Sequence, residues 1–238
     1  MSQGAILPDP GPPVRTQVVH ESRRTRITRL FFPERTLICK QPLGPDAQRR
    51  LRHEVSMLQR LRGADGVAHL VHAAPDPRSI VLEDAGASSL RESATPLASD
   101  ELIELAVCLA QAVSGMHRRR VMHGDITPAN IVVSCNGAPC IVDFALATSL
   151  AEVRPDFTHH TEIAGTLAYL APERTGRTGR VVDQRADLYA LGATLFELAT
   201  GAPPFGSDDP LRLTHDHLAR VPVAPHELNP AVPATLSA

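Results

Sequence analysis

Five polar residues in this 238-residue chain have types and spacings that could do chemistry. Asp125 and Asn130 stand five apart in His123-Gly124-Asp125-Ile126-Thr127-Pro128-Ala129-Asn130, and Asp143 follows thirteen residues later. Pro128 forbids a regular helix through the first stretch, so it reads as a loop held by order on either side. A carboxylate and a carboxamide at that spacing can aim into one cleft. Asp143 closes the apolar run Ile141-Val142, at the end of a buried strand beside the same loop. Two acidic oxygens and an amide oxygen converging there suit Mg²⁺, a hard cation that keeps several waters. Either motif alone also fits an Asp/Asn-rich turn with capping duties. Glu54 lies in an apolar helical stripe with Leu51 and Leu58, where a carboxylate is costly unless paired. Lys40 is its natural partner, although a glutamate of this kind taken singly also fits the rim of a helix.

These residues need elements to position them. Val18-Val19, Ile27 to Phe32 and Leu37-Ile38-Cys39 read as strands, with a turn at Pro33-Glu34-Arg35. Gly44-Pro45-Asp46 opens a helix carrying Leu51, Val55, Leu58 and Leu61 on one face. Two further strands fall near Ala68–Ala73 and Ser79–Glu83. After Gly86 the chain turns helical: Ser99-Asp100-Glu101 is a helix start with Ser99 as N-cap, and Leu102 to Met116 repeat at helical spacing. Ile131-Val132-Val133 and Ile141-Val142 form a hairpin around Asn136-Gly137. Further helices are expected over Asp183 to Thr200 and Pro210 to Arg220, then a Pro-rich tail. The expectation is an α+β, bilobal chain: a disordered Pro/Gly-rich leader over 1–16, a β-rich lobe with one helix over 17–85, and a helical lobe over 86–238.

Composition narrows the class. With 43% hydrophobic residues, a net charge of −2 and no long basic run, nothing argues for nucleic-acid binding. There is no uninterrupted apolar stretch of about 18 residues and no signal-peptide pattern, so a cytoplasmic protein without membrane insertion is expected. Cys39, Cys108, Cys135 and Cys140 have neither metal nor disulfide-framework spacing, and read as unpaired small core residues. A Cys135–Cys140 pair across the hairpin is the alternative.

With these motifs in order, the chain resembles a eukaryotic-type protein kinase domain over roughly Gln17 to Arg220. Leu37-Ile38-Cys39-Lys40 is similar to the strand whose lysine holds the α- and β-phosphates of ATP, with Glu54 as its helix partner. Ile80 to Gly86 resembles the strand and hinge that bond adenine, although strand-then-turn describes it equally well. The resemblance implies that Glu83, Ala85, Ile27 and Val132 contact the nucleotide. It implies that Asp125 accepts the substrate hydroxyl proton, and that Asn130 and Asp143 of Asp143-Phe144-Ala145 hold Mg²⁺. Gly165 to Glu173 resembles the end of an activation segment, where a protein substrate docks. Asp187-Leu188-Tyr189-Ala190-Leu191-Gly192 resembles the helix that anchors the catalytic loop, and Asp187, Leu191 and Leu195 share one face.

Several positions depart from that pattern. His20 to Arg26 contains no glycine where a Gly-rich phosphate loop is expected. Arg23, Arg24 and Arg26 stand there instead, as a solvated cluster or as side chains reaching phosphate. Gly124 replaces the arginine that receives a phosphorylated loop, Thr127 a lysine, Ala145 a glycine and Ile38 a small residue. Two helices that normally follow Pro225-His226-Glu227 are not expected here, which leaves Glu173 without its usual arginine or calls for a partner to cover the gap. The segments Leu82-Glu83-Asp84, Gly165 to Arg177, and Asp209-Pro210-Leu211 through Pro225-His226-Glu227-Leu228 resemble the N-terminal kinase domains of large bacterial kinase/NTPase/sensor-histidine-kinase signalling proteins. The resemblance implies a Ser/Thr kinase acting on protein substrates, with ATP and Mg²⁺. A pseudokinase that docks partners is the alternative. Aminoglycoside- and choline-kinase-like enzymes share His123-Gly124-Asp125 but lack the Gly165–Glu173 type of segment. Thr148, Ser149, Thr158 and Thr161 are candidate autophosphorylation sites.

Overall fold

Alternating side chains dictate a strongly two-sided sheet in the first part of the chain. The computed structural model describes residues 11–71, 76–86, 88–150 and 167–237. The expected leader up to residue 10, Ala73, Thr158, Thr161 and Gly165 lie outside the described residues. Strands β1 (Arg15–Glu21), β2 (Thr25–Phe31), β3 (Thr36–Pro42), β4 (Leu70–Val71) and β5 (Ile80–Glu83) form an antiparallel sheet in the order β1-β2-β3-β5-β4. The first strand starts at Arg15 rather than Gln17, because the Val14 amide already donates to the Phe31 carbonyl.

Register sorts the side chains by face. Ile27 lies opposite Lys40, Arg29 opposite Ile38, and Ile80 opposite Lys40 on the other side. Cross-strand partners share a face, so these residues line one side of the sheet. The other side carries Leu30, Leu37 and Val81, with Cys39, Val71 and Phe32 packed against them. Helix α1 (Ala47–Arg60) buries Leu51, Glu54, Met57 and Leu58. The i, i+3, i+4, i+7 spacing of those four makes a single stripe, and Glu54 is the one polar member. This first compact unit comprises the described residues up to Gly63, those of Ala68–Ala85, and Asp143–Ala145.

The second unit takes in Ala64–Val67, Gly86–Val142 and the described residues from Leu146 onward. Helix α2 (Ser99–Arg118) buries Leu102, Leu105, Leu109, Ala112, Val113 and Met116, and α3 (Arg185–Thr200) buries Ala190, Leu191, Ala193 and Leu198. Ser99 is the first helical residue rather than the cap. Its hydroxyl donates instead to the Ala231 carbonyl, and Ala98 takes the cap position. Strands β6 (Ser88–Ser89), β8 (Ile131–Val133) and β9 (Pro139–Ile141) form a small sheet, and β7 (Val121–Met122) pairs with β10 (Thr148–Ser149). Gly137 turns the β8–β9 hairpin with φ +81°, a conformation glycine adopts without penalty.

Helix α4 (Pro210–Ala219) is capped by Asp209, which accepts from the Leu211 amide at 2.9 Å. Its Leu213 joins Leu167, Leu170 and Phe205 in a second apolar cluster. The Pro-rich tail folds as a short helix α5 (Pro225–Leu228), followed by a buried Val232, and Asn229 donates to the Ala199 carbonyl at 2.7 Å. Two sequence expectations fail here. Cys108 and Cys135 are exposed, not core residues, although all four thiols are free. Ser149 is a buried strand residue rather than an exposed loop hydroxyl, because β10 is paired along β7. Among the described residues no helix is long and apolar enough to cross a membrane.

Candidate functional site

In the first unit, strand β3 delivers Lys40 to α1. Lys40 Nζ lies 2.7 Å from Glu54 Oε1 and 2.7 Å from Asp143 Oδ1. Lys40 and Glu54 are 3% and 1% exposed, so this pair is shielded from solvent, whereas the Asp143 side chain is 39% exposed. Burial alone would pull the Lys40 pKa down, but the Glu54 and Asp143 carboxylates outweigh it and push it up. Burial also raises the Glu54 carboxyl; Lys40 opposes that shift and Asp143 adds to it. The causes differ: burial leads for Glu54, whereas Lys40 is raised by its two carboxylate neighbours, and one lysine facing two carboxylates gives the cluster an excess of acidic groups.

Asp143 sits at φ +66°, left-handed backbone that a non-glycine residue rarely adopts. Its Oδ1 also accepts from the Ala145 amide at 3.2 Å, opening the 3-10 turn Phe144–Leu146. The strained position therefore falls on Asp143, and position 145 needs no glycine.

Contacts made by Arg50 and Arg29 fix the surroundings of this cluster, and neither residue was singled out in the sequence for this. The β1–β2 turn is tight: the Ser22 amide donates to Thr25 O at 2.9 Å, and Ser22 Oγ accepts from the Thr25 amide at 3.1 Å. Arg50 of α1 reaches back to it, donating to the carbonyls of Arg24 (3.3 Å) and Leu43 (2.6 Å). Arg26 pairs with Glu21 at 2.6 Å on the surface. Arg29 grips Asp84 through Nε and Nη2, at 2.7 and 3.2 Å, a two-pronged contact that pins the start of the segment after β5. Ile27 lies directly across from Lys40, while Glu83 is exposed and its amide donates to His69 O at 2.9 Å. Ala85 is half-buried.

In the second unit the His123–Asn130 loop is anchored from below by α3. Asp187, 1% exposed, accepts from the His123 amide (2.9 Å), the Gly124 amide (2.8 Å) and His117 Nε2 (2.9 Å). Burial by itself would raise the Asp187 carboxyl, but the His117 contact and the two backbone amides hold it below the usual carboxylate range. His123 is fully buried between Val142 O (3.1 Å from Nε2) and the Asp125 amide (3.2 Å from Nδ1). Together these fit the tautomer with its proton on Nε2. Thr194 of α3 donates to Ile126 O at 3.3 Å.

On this platform Asn130 Nδ2 donates both to the Asp125 carbonyl (2.9 Å) and to Asp125 Oδ2 (2.8 Å). The five-residue spacing thus closes into a direct clamp, which leaves the Asn130 amide oxygen as an acceptor. Thr127 is buried at the N-cap of the 3-10 turn Pro128–Asn130, and Val132 is half-buried in β8. Glu173 is half-buried close to Arg174 and Arg185, whose charges it favours. His117 and Arg174, whose guanidinium donates to Gly124 O, gave no signal in the sequence beyond lying near motif residues.

The family model described as "protein kinase domain" matches residues 37–237. The chain is similar to the serine/threonine-protein kinase PknB of Mycolicibacterium smegmatis, 35% identical over 67% of this chain and 26% of that protein. It resembles PknB of Mycobacterium tuberculosis at 33% identity, with the same coverage. The DNA damage-responsive serine/threonine-protein kinase RqkA of Deinococcus radiodurans is 38% identical over 60% of this chain and 21% of that protein. The chain therefore spans about a quarter of the length of the curated relatives it matches.

Proposed function

The chain belongs to the protein kinase family, and from that premise we propose that it transfers the γ-phosphate of ATP to serine or threonine hydroxyls of proteins. The observation that carries this reading is Lys40 held at 2.7 Å by both Glu54 and Asp143. A buried ammonium fixed by two carboxylates is a preorganised cation for phosphate oxygens, and it needs no rearrangement as charge develops.

Lys40 neutralises phosphate oxygens and Glu54 holds Lys40 in place. The substrate hydroxyl oxygen attacks the γ-phosphorus, the bond to the ADP oxygen breaks, and the hydroxyl proton passes to Asp125. Asn130 keeps the Asp125 carboxylate oriented through its 2.8 Å bond. Glu83 and Ala85 supply backbone groups to adenine, with Ile27 and Val132 as apolar contacts. Asp143 and the Asn130 amide oxygen are hard donors that fit Mg²⁺, and the excess of acidic groups around Lys40 favours a cation. Among the described residues no cluster of three or more His, Cys, Asp or Glu could hold a metal. When bound, the ion supplies neutralisation of phosphate charge.

Transfer of label from γ-³²P-ATP to a generic Ser/Thr protein, for wild type and Asp125→Asn, tests the reading, alongside titration of Mg-ATP into wild type and Lys40→Ala. The expected result is transfer by wild type alone and weakened binding by Lys40→Ala. Binding without transfer by the folded wild type would make the chain a nucleotide-binding docking module instead.

A further inference from the structure

The peptide joining Gly124 to Asp125 is gripped at both ends. Its N–H, on Asp125, donates to His123 Nδ1 at 3.2 Å. Its carbonyl, on Gly124, accepts from Arg174 Nη1. On the other side of the glycine, the Gly124 amide donates to Asp187. Gly124 has φ +78° and carries no Cβ; one built there would lie 2.9 Å from Arg174 Nη1 and 3.1 Å from the Leu146 carbonyl oxygen. The guanidinium therefore occupies the space that a side chain at position 124 would need.

Glycine allows the peptide plane that follows it to swing more freely than any other residue does. A swing of this plane would redirect the Asp125 side chain that hangs from its far end. The restraint on the carbonyl end comes from a rigid source. Arg174 belongs to the 3-10 turn Pro172–Thr175, closed by its own amide on Ala171 O (2.9 Å) and by Thr175 Oγ1 on Pro172 O (2.7 Å), with Ala171 and Thr175 buried. Arg174 lines a small pocket together with Asp125, Tyr169, Leu170 and Ala171. Burial lowers the Arg174 pKa, while Asp187, Asp125 and Glu173 favour its charge.

We propose that Arg174 is a positioning residue for Asp125, fixing the Gly124–Asp125 peptide plane and so the direction in which the carboxylate is presented. This rests on the phosphotransfer reading, in which Asp125 meets the substrate hydroxyl. Arg174 acts through the loop and takes no part in proton or phosphoryl movement.

The experiment compares wild type, Arg174→Met and Arg174→Lys in steady-state phosphotransfer to a generic Ser/Thr protein across pH, with hydrogen exchange over residues 123–130. Met keeps the stem but has no donor. It is expected to lower kcat about tenfold to a hundredfold, as misplacement of a reacting group by an ångström does. KM for ATP should stay within about twofold, and the acid limb of the kcat profile should move to higher pH as a cation near Asp125 is lost. Exchange at the Asp125 amide should accelerate, and Lys should restore part of kcat and most of the pH limb. Should the Met variant fail to fold, Arg174→Leu, which likewise has no donor, carries the same readings, with the same upward move of the acid limb expected. A wild type that transfers, with either neutral variant matching its kcat and pH limb, overturns this inference alone. A folded wild type that transfers nothing overturns the phosphotransfer reading and this inference with it.

Discussion

The two groups of functional residues are held by different forces. Around Lys40 the order comes from full charges: a buried ammonium between Glu54 and Asp143, supported by the Arg29–Asp84 ion pair. Around Asp125 it comes from a carboxylate that collects backbone amides, with Asp187 on His123 and Gly124 and a neutral amide clamp from Asn130. A charge cluster of the first kind presents a fixed ammonium beside a partly exposed carboxylate to charged groups that approach it. A loop tied through its own peptide groups is fixed before any ligand is present. One region is thus suited to binding charge, the other to presenting a base in a set direction.

Under the proposed phosphotransfer reading, the largest expected effect falls on Asp125. Asp125→Asn should reduce phosphotransfer by about 10²- to 10⁴-fold, the range for losing a general base. The thermal midpoint should stay close to wild type, since Asn preserves the shape of the clamp; a variant retaining wild-type kcat would remove Asp125 from the chemistry. Next comes the charge cluster. Glu54→Leu leaves Lys40 buried with a weaker counter-charge and should cost about 3–5 kcal/mol in urea unfolding. The double variant Lys40→Met/Glu54→Leu should recover much of that, and strict additivity of the two single changes would show that the pair does not interact.

The third prediction separates the regions by pH. The Asp187 carboxyl is depressed in the folded chain, so its contribution is fully present above the unfolded carboxylate value of about 3.9 and is lost as pH falls through the lower folded value. The difference in thermal midpoint between wild type and Asp187→Asn should therefore be constant from pH 7 to about pH 5 and shrink below about pH 4. Lys40 is shifted the other way, upward. Its contribution persists below its unfolded value of about 10.4 and is lost only as pH rises through the folded one. The smallest effect belongs to Arg50→Ala, which frees the Arg24 and Leu43 carbonyls at a cost of about 1 kcal/mol. Faster hydrogen exchange over Ser22–Thr25, with the Asp125 loop unchanged, would localise it to the first region.

Local chemistry made much of the framework legible in the sequence. Alternating apolar residues set β2 and β3, and the Leu51, Leu58 and Leu61 stripe set α1. A glutamate inside that stripe demanded a buried cation, which pointed to Lys40. Pro128 set the loop, and Asp187 at i, i+4 spacing with Leu191 set the inward face of α3. Short elements were less legible: β1 gained residues through pairing with β2, and α5 forms where prolines suggested only a tail.

Other features arise only from contacts between residues far apart in the chain. Asp143 joins Lys40 across 103 residues of sequence, and Arg174 reaches Gly124 across 50. The burial of Ser149 depends on β7, not on its neighbours in sequence. Residue types and periodicity encode what a segment prefers by itself. Which carbonyl an arginine finds, or which hydroxyl is shielded, depends on long side chains whose reach covers many equivalent partners until the fold selects one.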